Sequence, residues 1–122
     1  MAKVLVVDDD VTILALERQV LEREHYEVVT ASSGTMALEL IHTQAFGLVL
    51  LDITMPGTVD GFAVARALRA DGKHARTPVI FISGRTDANA TREAFQSGGS
   101  LFLSKPFNAM QLARLVKTLV RA

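Results

Sequence analysis

The chain has 122 residues, which fits one domain, and its 49% hydrophobic content supplies a core without metal or disulfide staples. Thirteen basic residues balance thirteen acidic ones, so no net field draws it directly to nucleic acid or to an anionic membrane. Cysteine is absent, which excludes thiol ligands, thiol nucleophiles and disulfides; no apolar run approaches the ~18 residues of a spanning helix, so membrane insertion is not expected.

Val4-Leu5-Val6-Val7 reads as a buried strand that ends on Asp8-Asp9-Asp10. Met1-Ala2-Lys3 enters that run, which is too short for a signal-peptide core. Asp10 is placed to cap a helix over 11–25. In that helix Ile13, Leu16, Val20, Leu14 and Leu21 form adjoining apolar stripes, with Glu17, Arg18 and Glu22 elsewhere. Val28-Val29-Thr30 is a second strand. Ser32 or Ser33 caps a helix over 34–43 with Ala37, Leu38 and Ile41 inward. Leu48-Val49-Leu50-Leu51 is a third strand, ending on Asp52, and a helix follows over 61–70 around Val64, Ala65 and Leu68. Val79-Ile80-Phe81-Ile82 runs into Ser83-Gly84. The segment 87–97 is a weaker helix with Ala90, Ala94 and Phe95 as a small apolar face. Leu101-Phe102-Leu103 leads, one residue later, to Lys105-Pro106. The last helix carries Leu112, Leu115, Val116, Leu119 and Val120, with Asn108 as cap and Gln111 in the reciprocal position.

This order is (βα) five times, which implies a parallel sheet with helices on both faces. No linker or output domain is expected within 1–122. Laid side by side, the strand endings bring carboxylates, a hydroxyl and an ammonium to one sheet edge, where open α/β sheets place their sites. A carboxylate such as Asp52 can attack a phosphoryl group and form an acyl phosphate. Lys105 can offset the phosphoryl charge. Asp8 and Asp9 cannot, being negative, but they suit a hard divalent cation such as Mg²⁺. Asp10 is better read as a cap than as a ligand.

The set Val6-Val7-Asp8-Asp9-Asp10, Leu51-Asp52-Ile53-Thr54-Met55-Pro56, Ile82-Ser83-Gly84 and Phe102-Leu103-Ser104-Lys105-Pro106-Phe107 resembles the bacterial response-regulator receiver domains over nearly the whole chain. The resemblance implies a flavodoxin-like, doubly wound three-layer fold with strand order 2-1-3-4-5. It implies that Asp52 accepts phosphate from a sensor histidine kinase, a histidine phosphotransfer protein or a small phosphodonor. Asp9 would ligand Mg²⁺ directly and Asp8 through water, with Asp52 and the Thr54 carbonyl completing the set. Ser83 and Lys105 would contact phosphoryl oxygens, Gly84 would offer its N–H, and Ser83 with Phe102 would form the switch. Leu101 and Leu103 would face the other side of their strand. The Lys105-Pro106 bond would be cis.

Such a domain is a cytoplasmic signalling switch and not a turnover enzyme. It would act on a downstream effector or fused output domain, and a phosphorylation-dependent dimer is a further expectation. Two positions depart from the family pattern. The loop Met55-Pro56-Gly57-Thr58-Val59-Asp60-Gly61 is one residue longer, which should bulge it beside Asp52, and Gly99 replaces the usual alanine and should loosen its turn. The main alternative is a receiver-like interaction module without phosphorylation. Asp8-Asp9-Asp10-Val11-Thr12 also fits a haloacid-dehalogenase-like phosphatase motif, but the later acidic pair is not supplied. His25, His42 and His74 fall near helix ends and receive no site role.

Overall fold

The computed structural model describes residues 3–120; Met1, Ala2 and positions 121–122 of the expected 1–122 domain lie outside the described residues. Five strands alternate with five helices: β1 (Lys3–Val7), α1 (Val11–Arg23), β2 (Glu27–Ala31), α2 (Gly34–Thr43), β3 (Leu48–Asp52), α3 (Gly61–Ala70), β4 (Val79–Ser83), α4 (Ala88–Gln96), β5 (Leu101–Ser104) and α5 (Ala109–Leu119). A 3₁₀ turn spans Gly72–His74. All neighbouring strands pair in parallel, in the order β2-β1-β3-β4-β5. This is the doubly wound, flavodoxin-like fold expected from the alternation and the resemblance.

The strands are apolar without alternation because both sheet faces are covered. Leu5, Val7, Val49, Leu51 and Phe81 face one core, closed by Ala37 and Ile41 of α2, Phe62, Val64, Ala65 and Leu68 of α3, and Ala90 and Ala94 of α4. Val4, Val6, Leu48, Leu50, Ile80 and Ile82 face the other, closed by Leu14, Val20 and Leu21 of α1 and Leu112 and Val116 of α5. Leu101 and Leu103 join this second core while Phe102 packs against the first, as the strand period requires.

The caps fall where the sequence puts them. Asp10 accepts from the Thr12 and Ile13 N–H groups, Ser33 from Met36, and Asn108 forms a reciprocal box with Gln111. Helix α1 stops at Arg23, two residues short of the expected end, because the chain turns there through His25 at φ +68°. Leu38 is only half-buried, and Phe95 is 47% exposed, so the inner face of α4 consists of Ala90 and Ala94. Glu17 is the larger correction: it is 2% exposed, on the sheet side of α1, among the apolar stripes from which its polar type set it apart.

At the opposite sheet edge, His74 is buried and its Nε2 accepts from the Phe46 N–H at 3.2 Å. Burial holds the imidazole below its ordinary pKa, so it acts as a neutral tie. A Cβ at Gly99 would sit 2.6 Å from Phe81 Cδ2, so the ring already fills the methyl's place.

Gly61 matters to the site directly. Its N–H donates to the Ile53 carbonyl at 2.9 Å, and a Cβ there would overlap the Asp52 carbonyl. Gly61→Ala is expected to destabilise the fold by about 1–3 kcal/mol, since backbone cannot yield as a side-chain tip does. Urea denaturation checks this; an unchanged midpoint would show that the loop after Asp52 adjusts freely.

Candidate functional site

The register of the sheet assembles the site. Val7 pairs with Leu51, so Asp8 follows β1 at the level where Asp52 closes β3. Asp52 pairs with Ile82, which puts Ser83 one step beyond on β4. Ser83 pairs with Ser104, and the Lys105 N–H donates to the Ser83 carbonyl at 2.9 Å. Four residues from four strands thus meet at the carboxyl edge of one sheet. The Lys105-Pro106 bond is cis, as expected.

Asp8 is buried and makes two contacts. One oxygen, Oδ1, accepts from the Asp10 N–H at 2.9 Å, and Oδ2 accepts from Lys105 Nζ at 2.9 Å. Lys105 Nζ also lies 3.6 Å from Asp52 Oδ2. Carboxylate oxygens of Asp8, Asp9 and Asp52 all lie within 4.8 Å of one another, with Asp9 exposed and the other two buried. Ser83 is buried, and its Oγ accepts from the Arg85 N–H at 3.0 Å. Because that contact uses a lone pair, the hydroxyl proton of Ser83 is free to donate elsewhere. Gly84 and Thr54 are exposed, and a Cβ on Gly84 would meet nothing within 4 Å.

The loop after Asp52 turns outward. Ile53 and Met55 remain buried, while Pro56, Gly57 and Thr58 are exposed and Gly57 takes φ +94°. Val59 returns to pack against the core, close upon Gly34 of α2, and Asp60 caps α3 by accepting from the Ala63 N–H at 2.9 Å.

One cation among this many acids leaves a local excess of negative charge. Burial pushes Asp52 up to about 6; the Asp8 charge adds to the rise and Lys105 opposes it. Burial works against the Lys105 ammonium, but its hydrogen bond to Asp8 and the nearby carboxylates outweigh that and raise it. Burial pushes Glu17 up to about 8, with Asp8 adding and Lys105 opposing. Its Oε1 is buried without a hydrogen-bond partner among the described residues. Glu17 is hidden in the sequence by its polar type; the signal that places it inward is its spacing, three residues after Leu14 and three and four before Val20 and Leu21.

Three carboxylates around a small space, with charge left over after one lysine, suit a hard divalent cation with oxygen ligands. Burial first, and then the negative neighbours, raise Asp52, and such a cation would relieve the second of these. A buried carboxylate beside an ammonium and a free hydroxyl proton can also receive and hold a phosphoryl group.

Residues 4–117 match the family model of the response regulator receiver domain. The transcriptional regulatory protein SrrA of Staphylococcus aureus is 35% identical over 119 residues, covering 98% of this chain and 48% of that protein. The chain therefore spans about half the length of the curated relatives it matches. The solved structure of chemotaxis protein CheY4 from Vibrio cholerae superposes with a TM-score of 0.92 at 31% identity, covering 98% of this chain and 99% of that one. The receiver domain of sensor histidine kinase PA1611 from Pseudomonas aeruginosa shares the fold, with a TM-score of 0.88 at 24% identity over 97% of this chain and 96% of that one; a magnesium ion is coordinated in the active site cleft of that protein.

Proposed function

This chain belongs to the response regulator receiver domain family of two-component systems, and from that premise we propose that Asp52 is a Mg²⁺-dependent phosphoacceptor. The observation that carries this reading is the buried cluster itself: Lys105 Nζ at 2.9 Å from Asp8 and 3.6 Å from Asp52, with Asp9 alongside. An Asp52 oxygen bonds to phosphorus as the bond to the donor's imidazole nitrogen breaks, and the imidazole leaves with the bonding pair. Lys105 turns from Asp8 toward one phosphoryl oxygen. Ser83 donates its hydroxyl proton to another while keeping its contact with the Arg85 N–H. The Gly84 N–H lies at the same strand end, and the open space at its Cβ position leaves room for the group. Asp8, Asp9, Asp52 and the Thr54 carbonyl would hold Mg²⁺, which supplies positive charge to the phosphoryl oxygens when bound.

The switch follows from the same contacts. Movement of Ser83 toward the phosphoryl group shifts the end of β4, and Phe102, half-buried against the α2–α4 core, is the aromatic poised to follow it. Phosphorylation biases the active state only through such differences in contact between states. The donor is a sensor histidine kinase or a histidine phosphotransfer protein. The recipient is an effector or a fused output domain, and self-association on the α4–β5–α5 face is the other outcome. No helix among the described residues is long and apolar enough to cross a membrane, which fits a cytoplasmic site of action.

Titration with Mg²⁺ and then with beryllofluoride, a phosphoryl mimic, tests the reading. Saturable beryllofluoride binding that requires both Mg²⁺ and the Asp52 carboxylate is expected. Binding that survives in Asp52→Asn, or none in the native protein, would favour an interaction module that works without phosphorylation.

A further inference from the structure

Helix α1 lays Leu14, Glu17, Val20 and Leu21 against the sheet, and three of the four are apolar. The fourth is a carboxyl whose Oε1 has no hydrogen-bond partner among the described residues. A buried acceptor left in that state is unfavourable, and an apolar residue of the same size would remove the cost. Its presence makes sense if a donor reaches it in another state of the site.

Lys105 is the cation whose charge acts on Glu17. Ile13, one turn before Glu17, lines a groove together with Leu16, Lys105, Pro106 and Phe107, so this part of α1 stands against the lysine. The charges of Glu17 and Lys105 also act on one another: the ammonium favours the carboxylate form of Glu17, and the carboxylate favours the ammonium. The Lys105 ammonium carries three N–H donors. One goes to Asp8 at 2.9 Å, and Asp52 stands at 3.6 Å. On the proposed function, Asp8 must also serve a divalent cation, and the Lys105 ammonium competes with that cation for the same carboxylate.

We propose that Glu17 is a positioning residue, the alternative partner that holds the Lys105 ammonium when Asp8 turns to a divalent cation. Lys105 then stays within the site, ready for a phosphoryl oxygen, and Glu17 Oε1 gains its missing hydrogen bond. The inference rests on the phosphoacceptor reading and adds to it a residue from α1.

A double-mutant cycle on Mg²⁺ affinity tests it, with isothermal titration of the native protein, Glu17→Leu, Lys105→Ala and the pair. Glu17→Leu is expected to weaken Mg²⁺ binding by about tenfold, because Lys105 is left on Asp8. In the Lys105→Ala background the same change is expected to have no effect. Glu17→Gln keeps an acceptor oxygen of the same reach and should recover most of the affinity; Glu17→Met serves the cycle if leucine perturbs the packing. Native affinity in Glu17→Leu overturns the proposal. So does a loss that persists without Lys105, since that would be a plain charge or packing effect. Both outcomes leave the phosphoacceptor reading standing, whereas a native protein that binds no Mg²⁺ overturns that reading and this one together.

Discussion

Lys105→Ala is expected to tighten Mg²⁺ binding several-fold and to slow phosphorylation of Asp52 by about 10²-fold, the usual loss when one preorganised charge partner is removed. The opposite signs arise from two roles of one ammonium. In the resting site it occupies Asp8 at 2.9 Å and repels a cation from the three-carboxylate cluster. On the proposed function it would neutralise a phosphoryl oxygen during transfer. Mg²⁺ titration and the rate of labelling by a small acyl phosphate measure the two separately. Weaker Mg²⁺ binding in the variant would mean that the lysine supports the metal site and does not compete with it.

Glu17 makes the stability of the metal-free protein fall with rising pH. Its carboxyl goes from an ordinary 4.5 to about 8 on folding, so between those values the folded state holds a proton that the unfolded state has released. The stabilisation is complete below the unfolded value and lost as pH rises through the folded one. Asp52, raised from 3.8 to about 6, acts in the same direction over a lower range. Above pH 6 Glu17 therefore dominates this loss. In chelator, the native protein is expected to lose on the order of 2–3 kcal/mol between pH 5.5 and 8, and Glu17→Gln to lose much less. Denaturant midpoints at several pH values measure both. Parallel curves for the two proteins would show that Glu17 is ionised throughout.

The strand endings were legible because they follow from the chain's own periodicity. Four apolar runs each stop on a residue unlike the run, and parallel register brings those stops to one edge. The caps at Asp10, Ser33 and Asn108 were legible for a similar reason, being local contacts of a side chain with its own helix. What stayed hidden depends on three-dimensional neighbours. Glu17 looks solvated by type and is buried by position. Phe95 looks apolar and is left exposed because α4 meets the sheet through small residues. Gly99 looks like a missing methyl until the Phe81 ring is seen in its place. The Ser83 hydroxyl was expected to serve phosphate, and its contact with the Arg85 N–H is a property of the β4 turn that no spacing in the sequence reveals.

On the proposed function Asp52 receives a phosphoryl group with Lys105 and the acidic cluster in attendance. Intact-mass measurement after incubation with Mg²⁺ and a small acyl phosphate or phosphoramidate tests it most directly. One added phosphoryl group is expected, labile as an acyl phosphate, absent without Mg²⁺ and absent in Asp52→Ala. No added mass on the native protein, or equal labelling of Asp52→Ala, would contradict it.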